Sequence, residues 1–189
     1  MRLILASASP RRSLLLRAAG YSFDVVAADV DESAVRNESP AEFVLRLSEK
    51  KAKAISAQPH DVVLGADTTV VHDGVAIGKP EDEDRALAML IALVGRTHSV
   101  LTGWTLGNSQ MTRFGVEESF VTFNSRSSDE LRTYIERTDP LDKAGAYALQ
   151  GDNGWLVAGV NGSRSNVMGL PIREIVDALT EFGIARHER

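Results

Sequence analysis

The chain has 189 residues, and its shares of hydrophobic (43%) and charged (25%) residues are typical of a globular protein with a sizeable core. A formal net charge of -5 argues against sequence-independent binding to nucleic acid polymers, which requires a basic surface. The absence of cysteine excludes disulfides, thiolate metal sites and cysteine nucleophiles. We therefore expect one domain over residues 1–189.

The start of the chain superficially resembles a signal peptide. A charged residue, an apolar stretch and small residues follow one another in residues 1–9, but the apolar stretch is well short of the roughly 7–15 residues that such a peptide needs. No run approaches the ~18 apolar residues of a membrane span. The sequence therefore predicts a cytoplasmic protein that has no membrane as a partner.

Strand and helix patterns alternate in the first part of the chain. Short apolar runs predict strands at residues 3–6, 23–27 and 62–64. One helix is predicted from Ser9 and Pro10, where the serine can cap and the proline fits the first turn, to Gly20. A second helix is predicted from the capping box of Ser39 and Glu42 and extends to Ala54.

The second part of the chain has a more antiparallel pattern. A hairpin is predicted around His72-Asp73-Gly74, and two longer β segments at residues 98–106 and 116–123. Helices are predicted over residues 81–95, after a capping box at residues 127–130, and over residues 171–183, followed by a frayed tail at residues 186–189. The whole predicts an α/β fold with a mixed central β-sheet flanked by helices.

Asp67 directly follows the apolar strand Val62–Leu64. A charge in that position is costly unless it is hydrated, paired or bound to a metal. The acidic pair Asp31 and Glu32 could supply further oxygen ligands for Mg²⁺ or Mn²⁺, although acidic pairs in loops are usually only hydrated. From these residues alone, Asp67 could take part either in an ion pair or in a metal site.

Three further motifs have a functional and a plain structural interpretation. Ser7 to Arg12 could bind phosphate through helix amides and arginines, or form a capped helix with hydrated arginines. Lys79, held extended by Pro80, could meet an anion or simply be exposed. Gln150, which precedes a glycine, could contact a base edge or occupy a turn.

The order of the motifs resembles the Maf family of nucleoside triphosphate pyrophosphatases, from about residue 2 to residue 183. In chain order they are Ser7-Ala8-Ser9-Pro10-Arg11-Arg12, Lys50-Lys51-Ala52, Gly65-Ala66-Asp67-Thr68, Gly78-Lys79-Pro80, Gly95-Arg96-Thr97-His98, Asp142-Lys143-Ala144-Gly145-Ala146-Tyr147, Gln150-Gly151 and Gly169-Leu170-Pro171. The resemblance implies a fold related to inosine triphosphatases, often assembled as a homodimer.

The resemblance also implies an activity: hydrolysis of a nucleoside triphosphate to the monophosphate and pyrophosphate, with Mg²⁺, Mn²⁺ or Co²⁺ as cofactor. Asp67 matches the proton acceptor of the family. Three positions match those linked to substrate choice, namely Arg12, Thr68 and Gln150. Four more fall where the family places pocket residues, namely Ser9, Glu32, Lys51 and Lys79. The metal ligands are expected among Glu32, Asp67 and Asp31.

Thr68 and Gln150 look like the branch of the family that acts on dTTP and UTP. Two departures bear on this prediction. Asp31 stands where the family commonly has glutamate, and the stretch from Gly162 to Asn166 lacks the tyrosine associated with dTTP/UTP enzymes. Two alternatives stand beside it. One is specificity for 7-methyl-GTP, or activity on modified nucleotides generally, including modified pyrimidine nucleotides. The other is a nucleotide-binding regulator of septum formation that does not turn its ligand over.

Overall fold

Seven strands and six α-helices form within residues 1–186, the part of the chain that the computed structural model describes. They are, in chain order, β1 (Leu3–Leu5), α1 (Pro10–Ala18), β2 (Asp24–Val25), α2 (Pro40–Lys53), β3 (Val62–His72), β4 (Val75–Ile77), α3 (Glu83–Leu93), β5 (Thr97–Gly107), β6 (Thr112–Phe123), α4 (Ser128–Thr138), β7 (Val157–Asn161), α5 (Arg164–Val167) and α6 (Ile172–Glu181). The frayed tail predicted at residues 186–189 falls mainly on residues 187–189, which lie outside the described part.

The strands form one mixed sheet in the order β2-β1-β3-β5-β6-β7, with β4 paired to β3. Strand β1 is parallel to β2 and to β3, and Leu3 lies opposite Val62. The β3–β4 and β6–β7 pairs are antiparallel. The predicted α/β fold with a mixed central sheet flanked by helices is confirmed. Within the described residues, no helix combines the length and the apolar character needed to cross a membrane.

Contacts between residues divide the chain into two compact units, each assembled from several segments. The first unit contains Met1–Thr68, Thr102–Glu117 and the described residues from Gly169 onward. The second unit contains Thr69–Leu101 and Glu118–Met168. The single domain expected from the sequence over residues 1–189 stays a prediction.

The side chains of strands β1 and β3 in the first unit alternate between two apolar clusters. Leu5 and Leu64 pack with residues of helices α1 and α6, whereas Ile4 and Val63 pack with Ala52 of helix α2. Successive side chains of a strand point to opposite faces, so this division is the expected result of the period of two. Helices α1 and α6 therefore cover one face of these strands, and helix α2 covers the other.

Helix α2 begins at the predicted capping box. The Ser39 hydroxyl accepts a hydrogen bond from the Glu42 amide, and the Glu42 carboxylate accepts one from the Ser39 amide. Together they satisfy amides that a helix start would otherwise leave unpaired. The second predicted capping box, Ser127 with Glu130, is formed in the same way at the start of helix α4.

The backbone of helix α2 lies directly against two strands at two glycines. A Cβ atom added to Gly65 of strand β3 would lie 2.2 Å from the Ser48 carbonyl oxygen. A Cβ atom added to Gly103 of strand β5 would lie 2.4 Å from the Val44 carbonyl carbon and oxygen. Both positions thus require glycine because the helix approaches so closely.

Helices α3 and α4 contribute to a separate apolar core in the second unit, which also contains an aromatic group. The rings of His98, Phe123 and Tyr147 meet edge to face, and His98 Nε2 lies 2.9 Å from the Tyr147 hydroxyl. Burial lowers the pKa of His98 to about 4, so its imidazole is neutral at physiological pH. The predicted hairpin is confirmed here too, with positive φ at Asp73 and Gly74.

Four elements differ from the sequence-based prediction. Strand β3 extends from Val62 to His72 and so contains Asp67, whereas the sequence predicted a strand that ends at Leu64, before Asp67. Strand β2 contains only Asp24–Val25 instead of residues 23–27, and it lies at the edge of the sheet with both residues exposed. Strand β7 and the short helix α5 occupy segments for which no regular structure was predicted. Strand β7 depends on its pairing with β6, which is a contact between segments far apart in the chain. Its own sequence contains glycine and does not by itself predict a strand.

We expect Gly103→Ala to lower the free energy of unfolding by roughly 3 kcal/mol, because the new methyl group meets backbone atoms that cannot rotate away. Urea denaturation measures this change. Gly159→Ala in strand β7 is the matched control, because a Cβ atom there meets nothing within 4 Å, and it should change stability by less than about 0.5 kcal/mol. Equal stability of the two variants would contradict the close approach.

Candidate active site

Asp67 and Thr68 are neighbours on strand β3, and their side chains point to opposite faces of it. Asp67 points toward helix α2, where its carboxylate contacts Lys51. Thr68 points toward helix α1, where its hydroxyl contacts Arg12. Strand β3 therefore presents two groups of polar residues, both within the first unit.

The first group is a buried lysine shared by two carboxylates. Lys51 Nζ lies 2.6 Å from Asp67 Oδ1 and 2.7 Å from Glu32 Oε1. Lys51 is 8% exposed and Asp67 is 7% exposed, so both charges are largely removed from water. Such burial is tolerated only when charges are paired, and the ammonium has two counter-charges here.

Burial raises the pKa of Asp67, because the ionised carboxylate loses hydration. The Lys51 ammonium and, more weakly, the Arg12 guanidinium oppose this effect by favouring the charged form. The net result is a carboxylate that is more basic than an ordinary aspartate. That property suits a group that accepts a proton.

The donor set fits a divalent cation that uses few protein ligands. Asp67 and Glu32 each direct a carboxylate oxygen at the same ammonium, and Mg²⁺ is commonly bound by one or two carboxylates together with substrate phosphates and water. Among residues 1–186, no three His, Asp or Glu side chains gather in a metal-binding cluster.

Asp31 lies among different partners. Its Oδ1 accepts hydrogen bonds from the amide and the hydroxyl of Ser33, and its Oδ2 lies 3.9 Å from Lys50 Nζ. The bonds from Ser33, followed by the charge of Lys50, lower the pKa of Asp31. The structure records no contact of Asp31 with Lys51, and its role as a metal ligand stays a prediction.

The second group holds the Arg12 guanidinium in place. Its Nε donates to the Gly169 carbonyl at 2.8 Å, its Nη1 to the Ser7 hydroxyl at 3.1 Å and its Nη2 to the Thr68 hydroxyl at 3.1 Å. Burial lowers the pKa of Arg12, but a guanidinium keeps its charge in proteins. Arg12 is thus a cation with a fixed orientation.

Ser9 occupies the N-cap position of helix α1, as predicted, but its hydroxyl makes no capping hydrogen bond. The expected side-chain cap is wrong. Pro10 begins the helix, and its preset φ suits the first helical position without help from a hydroxyl. The amide of Ser9 instead donates to the Ser7 hydroxyl at 3.2 Å, close to Arg12.

Lys79 and Gln150 belong to the second unit. Lys79 is exposed and precedes the buried Pro80. Gln150 is exposed in a turn whose flanks are anchored: Tyr147 contacts His98, and the Asp152 carboxylate accepts the amides of Leu156 and Val157 at 2.9 Å each. The structure thus groups Lys51 with Glu32 and Asp67, and Arg12 with Thr68.

Sequence reasoning from the residues did not find two members of these groups. Thr102 is fully buried and lies 2.9 Å from the Thr68 hydroxyl, but a threonine in a strand is too common to draw notice. Gly169 belongs to a motif found in the sequence, but the bond of its carbonyl to Arg12 was not predicted. Lys51 had a signal in the sequence, since it occupies the buried stripe of helix α2 four residues after Leu47.

The fold and these groups define a mixed α/β protein with paired buried charges and a fixed arginine built around one central strand. The chain belongs to the Maf family, since the family model described as "Maf-like protein" matches residues 2–182. The resemblance inferred from the motifs is confirmed.

Relatives in this family match over nearly their whole length. The chain is 48% identical to the dTTP/UTP pyrophosphatase of Symbiobacterium thermophilum, over 96% of this chain and 94% of that protein. It is 46% identical to the dTTP/UTP pyrophosphatase of Bacillus pumilus, over 97% of each. Among solved structures, a HAM1 protein from Coxiella burnetii is similar with a TM-score of 0.46 at 14% identity, over 96% of this chain and 99% of that one.

We expect the carboxyl group of Asp67 to titrate above the ordinary aspartate value of 3.8, and Lys51→Met to raise its pKa further because the favourable positive charge is lost. Carbon-13 NMR of the carboxyl group during a pH titration measures both values. Lys53→Met is the control, because Lys53 lies on the same helix but is exposed and pairs with Glu49. An Asp67 pKa that responds equally to both substitutions would contradict the contact.

Proposed function

We propose that the protein hydrolyses dTTP and UTP to the monophosphate and pyrophosphate. The observation that carries this proposal is the buried ion pair of Asp67 and Lys51, which the exposed Glu32 joins, in a chain that is 48% identical to a dTTP/UTP pyrophosphatase. A carboxylate of raised basicity next to fixed cations suits the activation of water beside a polyanion. The reaction needs no covalent intermediate with the protein.

A triphosphate needs positive charge around it. Arg12 is held by hydrogen bonds to its own surroundings, so it presents its charge without the cost of ordering a flexible side chain. Lys51 supplies an ammonium beside the carboxylates. We propose Ser9 and Lys79 as further contacts to the phosphates, on the strength of the resemblance to the family.

Asp67 is the proposed proton acceptor. As the water oxygen bonds to the α-phosphorus, its proton passes to the Asp67 carboxylate, and the bond from the α-phosphorus to the oxygen that bridges to the β-phosphorus breaks. Pyrophosphate leaves with that bridging oxygen and its electron pair. Asp67 must be ionised to act, so activity should rise as the pH rises through its raised pKa.

We propose that Asp67 and Glu32, with Asp31 as the third predicted ligand, hold a divalent cation: Mg²⁺, Mn²⁺ or Co²⁺. When bound, the cation supplies neutralisation of phosphate charge. Lys51 already provides one positive charge between Asp67 and Glu32, which limits their repulsion before any cation enters.

Thr68 and Gln150 are the proposed determinants of base preference, together with Arg12. The hydroxyl of Thr68 is fixed by Arg12 and Thr102, and the exposed amide of Gln150 offers one donor face and one acceptor face. These properties support recognition of the edge of a pyrimidine.

The proposal also includes a cytoplasmic location and a homodimeric assembly. The lack of cysteine supports the location, and the resemblance to the family supports the homodimer.

We expect Asp67→Asn to lower kcat for pyrophosphate release from UTP by at least about 100-fold, because the amide cannot accept the proton. Its circular dichroism should stay close to that of the wild type, since asparagine has nearly the same shape. Its thermal unfolding should occur at a lower temperature, because Lys51 then keeps only Glu32 as a counter-charge. Asp177→Asn on the exposed side of helix α6 is the control for loss of one negative charge.

Two outcomes of this experiment would overturn parts of the proposal. Near-normal turnover of the Asp67→Asn variant would remove Asp67 from the mechanism. Tight binding of UTP by the wild type without hydrolysis, in Mg²⁺, Mn²⁺ and Co²⁺ alike, would favour a nucleotide-binding regulator.

A panel of triphosphates tests the base preference. We expect kcat/KM to be highest for dTTP and UTP, and Gln150→Glu to lower it for UTP by roughly tenfold, because a carboxylate accepts but does not donate hydrogen bonds. Gln110→Glu, in the exposed loop between β5 and β6, makes the same charge change and should leave the panel unaltered. A maximum at 7-methyl-GTP would instead assign the protein to the other branch.

A further inference from the structure

Thr102 is a buried hydroxyl that the proposed reaction does not use. It lies on strand β5, is 0% exposed, and its Oγ1 is 2.9 Å from the Thr68 Oγ1. The Thr68 hydroxyl in turn lies 3.1 Å from Arg12 Nη2. Thr102 is therefore connected to Arg12 through the Thr68 hydroxyl.

The number of protons restricts how these groups can bond. A guanidinium only donates, so Thr68 must accept from Arg12 with one of its lone pairs. The single proton of the Thr68 hydroxyl then goes to Thr102, or Thr102 gives its own proton to the second lone pair of Thr68. In both arrangements Thr102 fixes the rotation of the Thr68 hydroxyl.

The Gly169 carbonyl completes the surroundings of Arg12. It accepts from Arg12 Nε at 2.8 Å and lies 3.5 Å from the Thr68 hydroxyl, so it offers that hydroxyl an alternative but longer partner. Gly169 has a φ of +108°, a backbone conformation that residues with a side chain rarely adopt. This accounts for the glycine of the Gly169-Leu170-Pro171 motif, which the proposed reaction leaves unexplained.

We infer that Thr102 is a positioning residue that holds the Thr68 hydroxyl on Arg12 and so fixes the pair that selects the nucleotide. Because it is buried, Thr102 acts through Thr68 and does not touch the nucleotide itself. The inference rests on the proposed function for its kinetic consequence, whereas the bonding arrangement stands on the contacts alone.

The position of Thr68 on strand β3 determines which kinetic constant responds. Asp67 points to the opposite face, so loss of the Thr102 hydroxyl leaves the proton acceptor and its partner Lys51 in place. Binding and discrimination of the nucleotide should therefore change more than the chemical step. A general loss of stability would not produce this division.

Thr102→Val tests the inference, since it removes the hydroxyl and keeps the shape. We expect the KM for UTP to rise about tenfold with kcat within about threefold, and Thr102→Ser to restore KM to within about twofold. Thr105→Val is the matched control: Thr105 is also buried on strand β5, but its hydroxyl pairs with Ser48 under helix α2. The acidic limb of the pH–rate profile should be the same in all four proteins.

A double-mutant cycle with Arg12→Gln shows whether the effect passes through Arg12. Thr102→Val should add less than about twofold to the KM of the Arg12→Gln variant. A KM for Thr102→Val equal to that of Thr105→Val, or a full tenfold effect in the Arg12→Gln background, overturns the inference. Thr102→Ala takes the place of Thr102→Val if the valine variant does not fold.

Hydrogen exchange at Arg12 gives a readout that does not require activity. The Nη–H groups of Arg12, one of which donates to Thr68, should exchange faster in Thr102→Val than in the wild type and Thr105→Val when they are followed by nitrogen-15 NMR. Unchanged exchange overturns the inference. An inactive wild-type protein in which Thr102→Val still accelerates this exchange would instead reject the proposed function and retain the positioning role.

Discussion

The candidate site depends on how closely the backbone of helix α2 lies against strands β3 and β5. The approach is possible because Gly65 and Gly103 present no side chain where the helix crosses them. The helix is held at this short distance over the segment from Val44 to Ala52, which includes Lys51. The ammonium of Lys51 can then reach Asp67 while its side chain stays buried. The ion pair between Lys51 and Asp67 therefore depends on the two glycines that let the helix approach the sheet.

Electrostatic balance is the second requirement of this arrangement. One ammonium cannot neutralise two carboxylates, so Lys51, Asp67 and Glu32 together retain a negative charge. Removal of either partner from a buried pair is costly, by about 3–5 kcal/mol, because the other charge is left without compensation. Lys51 and Asp67 therefore stabilise each other, and the loss of either leaves the other charge buried without its partner.

Features determined by neighbouring residues could be predicted from the sequence. The capping boxes at Ser39 and Ser127 and the turn at Asp73 rest on local geometry, and all are present. The buried strand that begins at Val62 is present too, but it continues through Asp67 to His72. Strand β7, by contrast, depends on a partner strand far away in the chain.

Only part of the candidate site could be predicted from the sequence. Asp67 could be identified from its own surroundings, whereas the contact with Lys51 and Glu32 depends on how helix α2 docks on the sheet, which no local pattern contains. Thr102 could not be identified from the sequence, because nothing in the pattern distinguishes a threonine with a buried, hydrogen-bonded hydroxyl from an ordinary threonine in a strand. The bonding of Arg12 likewise unites segments that are up to 157 residues apart in the chain.

Consecutive residues of strand β3 face opposite ways, and this has a consequence for how such proteins diverge. Residue 68 meets helix α1 and the Gly169 carbonyl, while residue 67 meets helix α2, so an exchange at one position disturbs none of the direct partners of the other. Residue 68 can therefore be exchanged without disturbing the contacts of the carboxylate at position 67. An insertion or deletion of one residue between Val62 and Asp67 would be disruptive. If the pairing of β1 with β3 is kept, the carboxylate would then point to the face of the sheet that carries Arg12 instead of the face that carries Lys51.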